Sequence, residues 1–342
     1  MQQSASKRPT HTPVTSENSI RDSIVEYLLG ADQSVSGELL SHEFGITRAA
    51  VWKHIHALEE MGFQFHRRHG VGYRIERTPD LLLGPLLRQR LHPSVRLGEH
   101  VIWKKETTST NDDAVALLNA KMGIPDGTIV TALSQSGGRG RHGRRWSSPE
   151  GGLWQSIVIT KPVPLQRASS LTLVTSVAVR RALEKHTQLP ISIKWPNDLL
   201  CGGKKLGGIL AEVKAQGETT SYAVIGIGLN TNVDASEFPK EIQATSTSVW
   251  SESGRRISHL DFEADLLKEL DPMISHVAVG GAGFSLVSDE WRQASATLGQ
   301  LVRVSLGDRI IEGRAVELDD DGTLHVDTGQ EVIKVLSGDV LF

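Results

Sequence analysis

The stretch Gln135-Ser136-Gly137-Gly138-Arg139-Gly140-Arg141-His142-Gly143-Arg144-Arg145-Trp146 constrains this chain more than any other. Four glycines and four arginines in twelve positions exclude a stable helix or strand, because glycine loses the most backbone freedom on ordering. The stretch is therefore a loop. Glycines let a backbone approach a ligand closely, and guanidiniums offer forked donors to carboxylate or phosphate. Clustered cations repel, so the loop is expected to be mobile until something negative arrives. The spacing Gly138-x-Gly140-x-x-Gly143 imitates a dinucleotide fingerprint, but that motif opens a helix and has an acid about 20 residues later. Here a second loop follows, Trp146-Ser147-Ser148-Pro149-Glu150-Gly151-Gly152, so the Rossmann reading fails. No glycine-rich run ends in Gly-Lys-Ser/Thr, which excludes a P-loop. Taken alone, the stretch is either an anion-binding flap or a solvated basic loop or nonspecific nucleic-acid patch.

A second cluster lies at Lys194-Trp195-Pro196-Asn197-Asp198, followed by Lys204-Lys205-Leu206-Gly207-Gly208-Ile209. Pro196 cannot sit in a central ladder, so the strand is expected to end there, with Asn197 and Asp198 at its tip. Gly202-Gly203 turns the chain, and Lys205 begins the returning strand. That hairpin brings Lys194, Asp198 and Lys205 together. Such residues commonly form a surface ion pair. The paired glycines Gly207-Gly208 point instead to a ligand lying on the backbone. Thr107-Thr108-Ser109-Thr110-Asn111-Asp112 joins a strand to a helix and either caps that helix or binds a small polar ligand. Gly226-Ile227-Gly228-Leu229-Asn230 ends an apolar strand on a polar tip.

At 342 residues the chain exceeds one core and implies two or three domains. Its formal net charge of −3 leaves any nucleic-acid binding to a local patch. Cys201 is the one cysteine, which excludes a disulfide framework and fits a reducing cytoplasm. No run approaches the ~20 apolar residues of a membrane span, so no membrane partner is expected. Residues 1–16 are polar and read as a disordered tail without a secretory signal. Over 17–78, helical spacing of Ile20, Ile24 and Leu28, a short helix from Ser36, a turn at Gly45 and a helix capped by Thr47 precede a basic hairpin. This is the pattern of a winged helix-turn-helix. Thr47, Arg48 and Lys53 on the third helix, with Arg67, Arg68 and Arg74 of the wing, are the expected DNA contacts. The alternative is a helical module with a solvated basic face.

Residues 79–97 read as a linker holding a Leu-rich helix, Leu81 to Leu91. Residues 98–296 mix strands with helices expected at Asn111–Ala120, Ser169–His186, Asp261–Ile274 and Phe284–Ala296, an α+β layer. Residues 297–342 alternate in short runs and read as a small β-barrel, with turns at Leu306-Gly307-Asp308 and Asp319–Gly322. The expected fold class is multidomain α/β.

Together these segments resemble the bifunctional biotin–protein ligase and biotin-operon repressor family. The resemblance rests on Ser109-Thr110-Asn111, the Gly138–Trp146 loop, Lys194-Trp195-Pro196-Asn197-Asp198, Lys205-Leu206-x-Gly208-Ile209, Gly226-x-Gly228-x-Asn230 and Arg48-Ala49-Ala50-Val51-Trp52-Lys53-His54-Ile55, all in the family's order. It implies a biotin/lipoate-ligase-like central domain and an SH3-like C-terminal barrel. It also implies ATP- and Mg²⁺-dependent formation of biotinyl-5′-adenylate and transfer to a lysine of biotin carboxyl carrier protein. Lys205, Arg141 and Asp198 would carry the chemistry. Ser109, Thr110, Asn111 and Gln135 would hold the ureido head, and Arg139, Gly140, Arg141, Lys205 and Gly208 the rest of biotin. Arg144, Trp146, Lys194, Asn197 and Asn230 would hold the nucleotide. Asp198 is either a Mg²⁺ partner or the group that receives the incoming lysine. The adenylate would be the corepressor of a homodimer on operator DNA. His142 stands where the family often has Arg, and Thr108 where it often has Asp. A ligase without a DNA role and a lipoate-type acyl ligase are the competing readings.

Overall fold

Side-chain caps set where the helices of the N-terminal segment begin. After α1 (Glu17–Leu29), Ser36 Oγ accepts from Leu39 N at 3.1 Å to open α2 (Gly37–Phe44), and Thr47 Oγ1 accepts from Ala50 N at 3.1 Å to open α3 (Arg48–Glu60). Gly45, at φ 62°, ends α2 in the left-handed conformation that glycine adopts without strain. Val51, Ile55 and Leu58 of α3 are buried with Ile24 and Leu40, as their helical spacing requires. β1 (Gln64–Arg68) and β2 (Gly72–Arg77) form the antiparallel wing. Tyr73 and Val35 exchange both backbone hydrogen bonds, at 2.8 and 2.9 Å, and a Cβ at Gly72 would lie 2.1 Å from the Val35 carbonyl oxygen.

The structure, a computed structural model, describes residues 17–68, 72–279, 283–306, 309–336 and 338–341. The expected tail over 1–16, the wing tip at 69–71 and most of the turn at 306–308 lie outside the described residues. The chain divides into two units, Met1–Asp80 and Leu81–Phe342. Among the described residues no helix is long and apolar enough to cross a membrane.

The second unit starts with α4 (Gly84–Arg88) and continues β3 (Val101–Thr107), α5 (Thr110–Asn119), β4 (Ile129–Gln135), β5 (Leu153–Ile159) and α6 (Ala168–Thr187). Then follow β6 (Ile191–Lys194), β7 (Asp198–Cys201), β8 (Lys204–Gln216), β9 (Thr219–Leu229), α7 (Lys240–Gln243), α8 (Val249–Ser253), α9 (His259–Ala278) and α10 (Ser288–Gln293). A seven-stranded sheet runs β3-β4-β5-β9-β8-β7-β6, parallel only between β3 and β4. Side chains alternate across it. Ser156 of β5 reaches α5, and Gln155 beside it reaches Glu263 of α9 on the opposite face. β10 (Leu301–Leu306), β11 (Arg309–Leu318), β12 (Leu324–Asp327), β13 (Val332–Val335) and β14 (Asp339–Leu341) make a five-stranded antiparallel sheet ordered β13-β12-β11-β10-β14.

Three expectations are corrected. The presumed linker belongs, from Leu81 onward, to the second unit, where Leu82, Leu83, Leu86, Leu87, Val95 and Leu97 are buried. Its helix is shorter than Leu81–Leu91 because Pro85 fixes where the first turn starts. The helix expected over Phe284–Ala296 is confined to α10, because residues beyond it pair with the sheet edge: Ile193 and Ala296 join through a 2.8 Å backbone bond. Finally, Lys194 to Lys205 is two hairpins. Asp198 opens a strand of its own, opposite Lys194 on one side and Gly208 on the other.

Candidate active site

Ser109 is the N-cap of α5, accepting from Asp112 N at 3.3 Å, so Thr110 and Asn111 fall on its first turn and face the sheet. Ser156 Oγ lies 2.8 Å from Thr110 Oγ1 and donates to Asn111 Oδ1 at 2.6 Å. Asn111 Nδ2 donates to Glu212 Oε2 of β8 at 2.6 Å. Gln135, at the end of β4, accepts from Thr110 N at 2.8 Å and donates to Ser148 Oγ at 2.8 Å. Asn111 and Gln135, both expected to hold a ligand head, thus have their amides engaged by protein groups at both ends. A Cβ at Gly226 would lie 2.4 Å from Asn111 Oδ1, so only glycine admits Asn111 at this point of β9.

The arginine-rich segment folds back on itself. Trp146 N donates to the Gly138 carbonyl at 2.8 Å and Gly140 N to the Arg144 carbonyl at 2.7 Å, with His142 and Gly143 left-handed at φ 55° and 71°. Three of its four arginines, Arg139, Arg141 and Arg144, lie within ion-pair reach of acids from three other elements. Arg139 pairs with Asp112 of α5 and lies 3.4 Å from Glu212 of β8. Arg144 pairs with Asp339 of β14, and Arg141 donates to the Gly338 carbonyl at 2.9 Å. Protein carboxylates thus supply part of the negative charge that the clustered arginines call for. The Asp112 hydrogen bond raises the Arg139 guanidinium above its ordinary value, and burial lowers that of Arg141.

At the other end of the site Lys205 Nζ lies 2.7 Å from Asp198 Oδ1 and 5.2 Å from the centre of the Trp146 ring. Burial lowers the Lys194 ammonium, partly offset by Asp198. The turn between β6 and β7 contains a cis Trp195–Pro196 bond and is held from outside, with Trp195 Nε1 donating to the Gly322 carbonyl at 3.0 Å and Trp195 N to Thr297 Oγ1 at 2.9 Å. Asn197 and Asn230 direct their amides to backbone carbonyls, of Ile209 at 3.0 Å and Thr247 at 2.9 Å. The Trp146 ring lies on Gly228, where a Cβ would meet its Nε1 at 2.9 Å. That buried indole nitrogen has no hydrogen-bond partner.

All of these pieces surround one cavity of about 480 Å³, a volume that suits a small organic ligand. Every residue expected to contact biotin or nucleotide borders it, from Ser109, Gln135 and Gly140 to Lys194, Lys205, Gly208 and Asn230. The carboxylates on its lining are Asp198 and Asp339. Sequence reasoning missed Ser156, Asp112, Glu212 and Asp339. Glu212 had a signal: period two from Gly208 puts Leu210 and Glu212 on the same strand face. Asp339 had none, since it arrives from a three-residue strand far along the chain.

Of the expected DNA contacts, Arg48 and Lys53 lie on α3 away from its buried stripe, and Arg74 is exposed on β2. The Thr47 hydroxyl serves as the α3 cap. Arg67 and Arg68 are in β1, but their side chains lie outside the described residues.

Residues 103–230 match the model of the biotin/lipoate A/B protein ligase family, residues 21–74 an HTH domain and residues 297–342 the biotin protein ligase C-terminal domain. The chain is 32% identical to the bifunctional ligase/repressor BirA of Bacillus subtilis over 329 residues, covering 94% of this chain and 98% of that one. It is 33% identical over 270 residues to the biotin–acetyl-CoA-carboxylase ligase of Mycobacterium tuberculosis, covering 76% of this chain and 97% of that one. Among solved structures, the biotin protein ligase from Aquifex aeolicus in complex with biotin and ATP superposes with a TM-score of 0.60 at 30% identity, over 71% of this chain and 98% of that one.

Proposed function

The chain belongs to the bifunctional biotin–protein ligase and repressor family, and on that premise we propose that it activates biotin with ATP and transfers it to a lysine of biotin carboxyl carrier protein. The observation that carries this reading is that Arg141 of the flap and Lys205 of the hairpin border one cavity.

The chemistry begins with a repulsion. The biotin carboxylate oxygen attacks the α-phosphorus of ATP, the bond from that phosphorus to the bridging oxygen breaks, and pyrophosphate leaves. Two anions must approach each other. Lys205, Arg141 and Lys194 border the cavity and offset that charge as it grows in the transition state. Asp198 holds the Lys205 ammonium in place at 2.7 Å. In the second half-reaction the carrier lysine amine attacks the acyl carbon, AMP leaves, and the amine proton needs an acceptor. Asp198 is the carboxylate beside Lys205 that can receive it. Ser109 and Thr110 face the ureido head, with Asn111 and Gln135 holding their helix turn against the sheet. Trp146, lying on Gly228, offers an aromatic face to adenine.

Magnesium fits this lining in a limited way. It binds through one or two carboxylates and completes its shell with water and phosphate oxygens, and Asp198 supplies such a ligand. When bound with ATP it neutralises phosphate charge. The other grouping of metal-type ligands among the described residues, Glu317, Asp319 and His325, is on the C-terminal sheet, where Lys334 already balances Asp319 at 3.1 Å.

The helix-turn-helix unit represses biotin genes with biotinyl-5′-adenylate as corepressor, as a homodimer whose two winged helices meet a two-fold operator. The protein acts in the cytoplasm, where buried Cys201 stays reduced.

The deciding experiment is an intact-mass measurement on a biotin carboxyl carrier domain incubated with the full chain, biotin and Mg-ATP. One added biotinyl group is expected. Addition of a lipoyl group from lipoate, with none from biotin, would sink the proposal. Gel-shift titration on DNA upstream of biotin genes, with and without biotin plus ATP, tests the repressor role, and a ligand-dependent shift is expected.

A further inference from the structure

The turn between β6 and β7 decides where two charged groups of the cavity stand. β6 ends at Lys194, β7 starts at Asp198, and these two residues are the register pair next to the turn. Both strands have four residues, and β6 is the outermost strand of the seven-stranded sheet. Strands this short offer few ladder bonds, so the turn needs other anchors. On its inner side Asn197 donates to the Ile209 carbonyl at 3.0 Å and accepts from Ile209 N at 2.9 Å. On its outer side Trp195 uses both of its N–H groups. Its backbone N donates to Thr297 Oγ1 at 2.9 Å and its indole Nε1 to the Gly322 carbonyl at 3.0 Å. The loop that presents this carbonyl is itself fixed. Gly322 N donates to the Asp319 carbonyl at 2.9 Å, Ser169 of α6 to the Asp321 carbonyl at 3.2 Å, and Arg292 of α10 to the Leu318 carbonyl at 2.9 Å. The Trp195 ring is buried. A buried N–H without a partner is costly, so the indole is confined to orientations that reach Gly322.

We infer that Trp195 is a positioning residue for Asp198, tying the end of the β6–β7 hairpin to the C-terminal segment through Thr297 and Gly322. The inference rests on the ligase function above. Asp198 borders the cavity and holds Lys205 Nζ at 2.7 Å. A displaced turn carries the carboxylate away from that ammonium, and from the place where it receives a proton. The loss falls on the rate, because catalytic charge must already stand where charge develops. The ureido head is assigned to the start of α5, a separate element, so affinity for biotin is spared. Thr297 and Gly322 act from outside the cavity lining, and Trp195 transmits their placement to the carboxylate.

A buried tryptophan can also serve packing alone, and a double-variant cycle separates that case from positioning. Pyrophosphate release by the full chain with biotin, Mg-ATP and a biotin carboxyl carrier domain would be measured for the wild type and five variants. These are Trp195→Phe, Thr297→Val, Thr297→Ser, Asp198→Ala and the Trp195→Phe/Asp198→Ala double variant. Phenylalanine keeps a buried ring and removes the indole donor. In Trp195→Phe kcat is expected to fall about five- to tenfold, with KM for biotin within about twofold of wild type. Thr297→Val should lower kcat in the same way, and Thr297→Ser, which keeps the acceptor, should stay within about twofold. Added to Asp198→Ala, Trp195→Phe should cost less than about twofold, because the carboxylate it places has gone. The inference is overturned if folded Trp195→Phe keeps the wild-type kcat, or if its loss is the same size with and without Asp198. A loss confined to KM for biotin overturns it as well. Should Trp195→Phe fail to fold, Thr297→Val with and without Asp198→Ala decides the same question. A wild-type chain that releases no pyrophosphate would overturn the ligase reading instead, so the two failures are distinct.

Discussion

Lys205 Nζ and Asp198 Oδ1 lie 2.7 Å apart across the β7–β8 ladder, and the ammonium sits 5.2 Å from the Trp146 ring centre. The lysine is held by a carboxylate on one side and an aromatic ring on the other, so its charge is in place before substrate arrives. Preorganised charge of this kind contributes most where negative charge develops. Lys205→Ala is expected to slow adenylate formation by about 10²- to 10³-fold. Asp198→Asn should slow it less, because the ammonium remains. Single-turnover pyrophosphate release reads both, and a Lys205→Ala rate within about threefold of wild type would contradict the assignment.

Asn111 is fixed by Ser156 on one side and Glu212 on the other, and Gly226 leaves it the space. A methyl at Gly226 would come within 2.4 Å of Asn111 Oδ1. Either the amide leaves its partners or the strand shifts. Gly226→Ala is expected to cost about 1–3 kcal/mol of stability and to raise KM for biotin at least about tenfold while KM for ATP changes little. Calorimetric titration with biotin alone checks this, and unchanged affinity would show that Asn111 has no part in holding biotin.

Glu263 is fully buried on α9, and burial pushes its carboxyl from 4.5 up to about 8, opposed only by the Gln155 amide. A raised carboxyl value means that the folded protein binds the proton more tightly than the unfolded chain. Its stabilising effect is complete below the unfolded value and fades at ~1.4 kcal/mol per pH unit as pH climbs toward the folded value. Glu263→Gln does not titrate. The variant should therefore gain on the wild type steadily between about pH 5 and pH 8, as followed by melting temperature. A gap that stays constant with pH would refute this account.

Arg74 is exposed on the wing, and the Thr47 hydroxyl caps α3. The two predict different effects on DNA binding. Arg74→Ala should weaken binding to all sequences and reduce the slope of log affinity against log salt by about one. Thr47→Ala should lower stability by about 1 kcal/mol through the lost cap and leave that slope unchanged. Fluorescence anisotropy over a salt series separates them, and an unchanged slope in Arg74→Ala would remove that residue from the interface.

Much of this organisation was legible in the sequence for local reasons. Ser36, Thr47 and Ser109 mark helix starts because each cap is settled within three residues. Glycine content made 135–146 a loop for an equally local reason. Strand β7 was not legible. Its four residues follow Pro196 and carry no alternation of their own, and they are a strand only because β6 and β8 flank them. The stretch read as a linker likewise hid its buried leucines, because burial depends on what packs against it.

The sequence by itself determined the chemistry available: a cationic glycine loop, a lysine hairpin and a capped helix start, each specified by neighbours a few positions away. Tertiary structure alone decided how those charges are balanced. Arg139 meets Glu212 across 73 positions, and Arg144 meets Asp339 across 195. An electrostatic partner is chosen by distance in space, and no local pattern records which acid the fold will bring there.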